Sequence, residues 1–108
     1  MSDFPKEAKV VIIGGGAVGA SSIYHLAKAG WTDCVLLEKN ELTAGSTWHA
    51  AGNVPTFSTS WSIMNMQRYS TELYARLGEE VDYPMNYHQT GSLPVSYTHL
   101  TLPTILLV

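Results

Sequence analysis

Cysteine is almost missing from this chain: the single residue Cys34 excludes an internal disulfide, and its place at the start of an apolar stretch marks it for packing. Positive charge is also scarce. Six Lys and Arg stand against nine Asp and Glu, and a net charge of −3 argues against a nucleic-acid partner. No apolar run approaches the length that crosses a bilayer. The opening residues, Met1-Ser-Asp-Phe-Pro-Lys-Glu-Ala-Lys9, have neither the apolar centre of a secretion signal nor the arginine-rich character of a transit peptide. A bacterial-type cytoplasmic location is therefore expected. No segment repeats, no residue cluster has metal-ligand spacing, and 108 residues allow at most one small domain.

What is present is concentrated near the start. Lys9-Val-Val-Ile-Ile-Gly-Gly-Gly-Ala-Val-Gly19 sets a G-x-G-x-x-G triplet between an apolar strand and a helix, and Cys34-Val-Leu-Leu-Glu38 closes a second apolar strand with an acid. The triplet alone is weak evidence; inside strand, turn, helix, strand and terminal acid it is a dinucleotide-binding signature. Val10 to Ile13 is a β-branched run, as expected for a parallel strand covered on both faces. Gly14 permits the tight turn, Gly16 lets a diphosphate approach the backbone, and Gly19 lets the helix pack on the strand. The helix beginning near Ala17 directs free N–H groups and its positive dipole end at the phosphates. Its apolar residues Ala20, Ile23 and Ala27 fall at helical spacing, and Gly30 is a C-terminal stop. Glu38 can accept both ribose hydroxyls and would repel a ribose phosphate, which favours FAD or NAD over NADP. A tight turn beside a solvated glutamate is the bland alternative.

A second segment follows the acid: Glu41-Leu-Thr-Ala-Gly-Ser-Thr-Trp-His-Ala-Ala-Gly52. Gly45, Ser46 and Thr47 suit a loop that approaches a ligand closely, with hydroxyls free to cap a helix or bind phosphate. By pattern alone Trp48 is a packing residue, and a lone histidine such as His49 is structural or exposed.

The glycine unit and this second segment together resemble the N-terminal part of the sarcosine and dimethylglycine dehydrogenase group, within the D-amino-acid-oxidase-like flavoproteins. The similarity runs over residues 8–93, and the Ser-Thr-Trp-His-Ala-Ala-Gly motif carries most of its specificity. The resemblance implies an α/β, Rossmann-like βαβ unit that binds FAD, truncated before the rest of the sheet and the substrate domain. It puts the ADP half of FAD on Gly14, Gly16 and Gly19 and the adenosine ribose on Glu38. The histidine of that motif carries FAD covalently in the dehydrogenases, a role that would fall on His49. The cofactor-binding set implied is Gly14, Gly15, Gly16, Ala17, Val18, Gly19, Glu38, Lys39, Gly45, Ser46, Thr47 and His49. Family chemistry implies hydride transfer from a small N-methyl or secondary amine to the flavin, with hydrolysis of the imine product. No catalytic residue is identifiable within the chain, and neither the amine nor the electron acceptor is specified.

The remainder reads as scaffold. Residues 62–78 put Met66, Tyr69, Leu73 and Leu77 on one helical stripe expected to be core, with a Glu72–Arg76 surface pair and Gly78 ending the helix. Residues 53–61 read as irregular connection, and short strands are expected near Tyr87 and from Ser92. His88 reads as structural or exposed.

After Leu93 the family pattern breaks off. Val95-Ser-Tyr-Thr-His-Leu-Thr-Leu-Pro-Thr104 resembles the in-frame translation of a transposase-type sequencing adapter, whose continuation accounts for Ile105 and Val108. Residues 1–93 are accordingly read as the N-terminal part of an FAD-binding domain and 94–108 as a non-native tail. Two parallel strands would expose both faces of their sheet, so stability in isolation is doubtful and this polypeptide is expected to be inactive by itself. Two other readings stay open: an NAD-dependent dehydrogenase using the same βαβ unit, and a product that binds nothing.

Overall fold

A computed structural model of the chain describes residues 4–92. The chain divides into two units after Gly52. The residues of the expected 94–108 tail, and the continuation of the strand expected from Ser92, lie outside the described range.

The first unit is a βαβ crossover. Strand β1 (Val10–Ile13) lies parallel to β2 (Cys34–Leu37), with Val10 beside Cys34 and Ile13 beside Leu37, and helix α1 (Ala17–Lys28) connects them. The Val10 N–H donates to the Asp33 carbonyl and the Gly14 N–H to the Leu37 carbonyl, so the ladder is closed at both ends. The strands are not covered on both faces. Burial alternates along β1: Val10 and Ile12 are half-buried, whereas Val11 and Ile13 are exposed, Ile13 by 87%. The cause is that α1 covers one face only, the one carrying Ile12.

The inner stripe of α1 also differs from the expected one. Gly19, Ser22, Ile23 and Leu26 are the half-buried positions at three- and four-residue spacing, while Ala20 and Ala27 face outward. Gly19 sets this rotation. A β-carbon there would collide with the Gly14 carbonyl and sit 3.4 Å from Ile12 Cγ2, so the first turn of the helix lies directly on the end of β1. The helix ends as anticipated at Gly30, whose φ of +88° belongs to the left-handed region. The Gly30 N–H donates to the Ala27 carbonyl and the Trp31 N–H to the Leu26 carbonyl, the paired closure of a Schellman motif. Cys34 is half-buried, with its thiol 3.3 Å from the Trp31 carbonyl.

The second unit is built on α2 (Trp61–Glu80), longer at both ends than the periodicity predicts. Gly78 does not end it. Its missing side chain instead lets the returning chain close on the helix: an added β-carbon would lie 3.0 Å from both Met85 Cγ and the Tyr83 carbonyl. The Tyr83 N–H donates to the Gly78 carbonyl, and the Tyr74 and Tyr87 rings stack with centroids 5.9 Å apart. Of the expected stripe only Leu73 is buried, at 9% exposure, with Leu77 half-buried; Met66 and Tyr69 are exposed. The return segment packs on the C-terminal half of α2, so burial is concentrated there. Among the described residues of α2, Arg68 pairs with Glu72 and Arg76 with Glu80, each at 2.9 Å, in place of Glu72–Arg76. Each arginine reaches toward the acid one turn C-terminal to it, and such exposed pairs contribute about 0.3–0.5 kcal/mol apiece. No strand forms near Tyr87. No helix among the described residues is long and apolar enough to cross a membrane.

The fit of α1 on β1 is directly testable. Gly19→Ala should destabilise the folded protein by roughly 3 kcal/mol, the upper range for an overpacked site. Gly45→Ala, where an added β-carbon meets nothing within 4 Å, should change stability by less than about 0.5 kcal/mol. Equal urea midpoints for the two variants would refute this packing.

Candidate dinucleotide-binding site

Three pieces of backbone meet at the carboxyl end of β1: the glycine turn, the residue that follows β2, and a coil of successive turns over residues 42–49. Gly14, at φ +107°, swings the chain out of the strand. Gly15 is buried beneath the side chains of two neighbours. A β-carbon on it would lie 2.6 Å from Leu42 Cδ2 and 3.2 Å from Glu38 Cβ. A β-carbon on Gly16 would fall 2.9 Å from Thr47 Oγ1. Gly14 thus supplies the turn, and the others supply close approach.

Glu38 stands immediately beside this turn. Its Oε2 accepts the Gly15 N–H at 2.7 Å and its Oε1 accepts the Asn40 N–H at 2.9 Å. These bonds, the Gly15 one foremost, hold the carboxyl below the ordinary glutamate range, so it is ionised at neutral pH. A carboxylate offers about four acceptor positions, so roughly two remain for hydroxyl donors.

The coil is fastened to the turn from the other side. The Thr43 N–H donates to the Gly15 carbonyl at 3.0 Å, and Thr47 Oγ1 accepts the Ala17 N–H at 2.9 Å. The first N–H of α1 is therefore not free. Among the described residues, the N–H groups of Gly16, Val18 and Gly19 meet no acceptor, so the positive end of the helix still presents donors. His49 follows two residues after Thr47. Its Nδ1 lies 3.0 Å from the Gly45 carbonyl, which can only accept, so Nδ1 carries the proton and Nε2 keeps its lone pair, on an exposed side chain. Trp48 does not pack: it is 77% exposed. Lys39, Gly45 and Ser46 are exposed, and neither the Lys39 nor the Ser46 side chain bonds to the glycine turn. His88, exposed and bonded to Asn86 Oδ1 at 2.8 Å, belongs to the second unit.

The sequence reading missed Leu42, Thr43 and Asn40. Leu42 was detectable as a large aliphatic residue in a run that, Trp48 and His49 apart, is small and polar. Thr43, at φ +69°, carried no signal, because nothing in a threonine announces the left-handed region.

A glycine turn held closely by Glu38, Leu42 and Thr47, unpartnered helix N–H groups and an ionised acid suit an anionic dinucleotide with a free ribose. Sequence comparisons agree. The family described as "FAD dependent oxidoreductase" (DAO) matches residues 9–106. Mitochondrial dimethylglycine dehydrogenase of Rattus norvegicus is 50% identical over 96 residues, covering 89% of this chain and 11% of that protein. Mitochondrial pyruvate dehydrogenase phosphatase regulatory subunit of Mus musculus is 45% identical, covering 87% and 11%. Mitochondrial sarcosine dehydrogenase of Homo sapiens is 39% identical, covering 82% and 10%. The chain spans about a tenth of the length of the curated relatives it matches.

A pH dependence follows from Glu38. Its folded-state pKa is depressed, so its hydrogen bonds contribute stability in full above the unfolded value and lose it as pH falls through the folded one. Glu38→Gln should therefore be less stable than the parent at neutral pH, since one of the two accepting oxygens becomes an NH2 group that can only donate and would face an N–H. The gap should stay level down to about pH 5 and narrow below about pH 4. A gap that widened on acidification, in urea titrations at stepped pH, would contradict the ionised carboxylate.

Proposed function

The chain belongs to the FAD-dependent oxidoreductase family, and from that premise we propose that it is the dinucleotide-holding corner of a longer flavoprotein that oxidises an N-methylated amine. The observation that carries the reading is the convergence of the Gly15 N–H, the Glu38 carboxylate and Thr47 on one glycine turn. Residues 94–108 take no part in this reading.

The chain's residues divide the work of holding FAD. Gly14 turns the chain, Gly15 and Gly16 admit Glu38, Leu42 and Thr47 against the turn, and the N–H groups of Gly16, Val18 and Gly19 remain to take a diphosphate; Ala17 contributes through Thr47. Glu38 accepts ribose hydroxyls on the lone pairs left by Gly15 and Asn40. Lys39, Gly45 and Ser46 are exposed, and their backbone and side chains can close on a bound molecule. His49 tethers the flavin. Its Nδ1 proton is engaged by the Gly45 carbonyl, so Nε2 is the nitrogen available to form a bond to carbon. Bound FAD would supply the electron-pair acceptor that no protein side chain provides. Substrate-positioning groups lie outside this segment, so the segment alone is inactive.

The names of the relatives support the substrate class: one dehydrogenase is named for dimethylglycine and another for sarcosine, both N-methylated amino acids. A second reading rests on the phosphatase regulatory subunit, whose name describes regulation in place of oxidation. Under that reading the corner would hold FAD without turnover. An NAD-dependent dehydrogenase is disfavoured, because it leaves His49 and its motif without a task.

Expression of the full flavoprotein carrying this segment separates the readings. Yellow protein that retains flavin fluorescence after acid precipitation, and that is bleached by dimethylglycine or sarcosine under anaerobic conditions, is the expected result. His49→Ala should abolish the retained fluorescence while leaving releasable FAD. Retention in that variant would refute the tether, and bound flavin that no N-methylated amine bleaches would favour the regulatory reading.

A further inference from the structure

Thr47 is half-buried in a coil whose other residues, from 41 to 50, are exposed. Its Oγ1 takes the first N–H of α1, thirty positions earlier in the chain. One turn before it, Thr43 donates its N–H to the Gly15 carbonyl. The Trp48 N–H in turn donates to the Thr43 carbonyl and the His49 N–H to the Ser46 carbonyl, so the coil between these anchors is internally bonded. His49 lies two residues beyond Thr47, its ring bonded to the Gly45 carbonyl of the same coil. A histidine that would otherwise swing on an exposed loop is thereby registered against the glycine turn.

We propose that Thr47 is a positioning residue for the covalent attachment of flavin: its hydroxyl clasps the coil to α1 and so sets His49 at a fixed distance from a dinucleotide seated on the turn. This rests on the tether assigned to His49 above. In the attachment step, His49 Nε2 forms a bond to a ring-methyl carbon of the flavin and a C–H bond of that carbon breaks. The proton and the electron pair of the broken bond both pass to the isoalloxazine, which is reduced, and dissolved dioxygen then reoxidises it. Thr47 touches none of the reacting atoms. It acts by holding the nucleophile within range.

Threonine suits the task because its oxygen can accept the Ala17 N–H from the space beside Gly16, where a β-carbon would come within 2.9 Å of that oxygen. Valine keeps the shape and removes the acceptor, leaving the Ala17 N–H to solvent. Serine keeps the acceptor.

The test uses the full flavoprotein prepared under riboflavin limitation and then mixed with FAD. Non-covalent affinity is read by flavin fluorescence and attachment by acid-stable fluorescence over time. With FAD at saturating concentration, so that any change in affinity is removed from the rate, Thr47→Val should attach flavin about tenfold more slowly than the parent, the loss expected from one hydrogen bond. Thr47→Ser should attach at close to the parental rate. Attachment by the valine variant at the parental rate, equal slowing in both variants, or a slowing that vanishes once FAD saturates the site would each overturn the proposal. A parent protein that gains no acid-stable flavin would remove the tether itself, and this inference with it.

Discussion

The first turn of α1 presses on the Gly14 carbonyl with no room for a β-carbon at Gly19, and the rest of the corner is arranged around that contact. It fixes the rotation of the helix, so that Ser22, Ile23 and Leu26 follow Gly19 onto the sheet. It also fixes the direction of the helix N-terminus relative to β1. The N–H groups of Gly16, Val18 and Gly19 then emerge where the strand ends, beside the acid that β2 delivers to the same edge. Parallel pairing is what places Glu38 there: Ile13 lies beside Leu37, so the residues that follow each strand leave the sheet side by side.

Glu38 has a structural role as well as the ligand role that its position suggests. Its two oxygens hold the Gly15 and Asn40 N–H groups, so the carboxylate braces the glycine turn from one side while the Thr43 N–H and the Thr47 hydroxyl brace it from the other. Short glycine turns lose much conformational freedom on ordering. Bracing from both sides leaves the turn less to lose when a ligand arrives, which is what pre-organisation means for such a site.

Much of the corner was legible in the residues, because its parts are local. Four β-branched residues, a glycine triplet, a helical stretch ended by Gly30 and a strand ended by Glu38 follow one another with no gap to guess across. Errors arose where the answer depended on what lies opposite. The β-branched run of β1 is what a strand covered on both faces carries, but a covering layer is a tertiary fact, and α1 supplies only one, which leaves Val11 and Ile13 exposed. Met66 and Tyr69 looked like core for the same reason. Gly78 looked like a helix stop because glycine commonly is one; here its bare Cα admits the Tyr83–Met85 return. Glu72 had two arginine neighbours at four-residue spacing, and only side-chain geometry chose Arg68 over Arg76.

The sequence by itself determined the βαβ unit, the position of its turn and the acid at the end of β2, since strand, glycine turn and helix are encoded by neighbouring residues whose conformational preferences act over a few bonds. Tertiary structure alone decided that Thr47 would cap a helix thirty residues away, that Gly15 would be held between Glu38 and Thr43, and that Trp48 would stand in solvent. Those contacts join segments distant in the chain, and the energy of such a contact exists only once the backbone has closed the loop that brings its partners together.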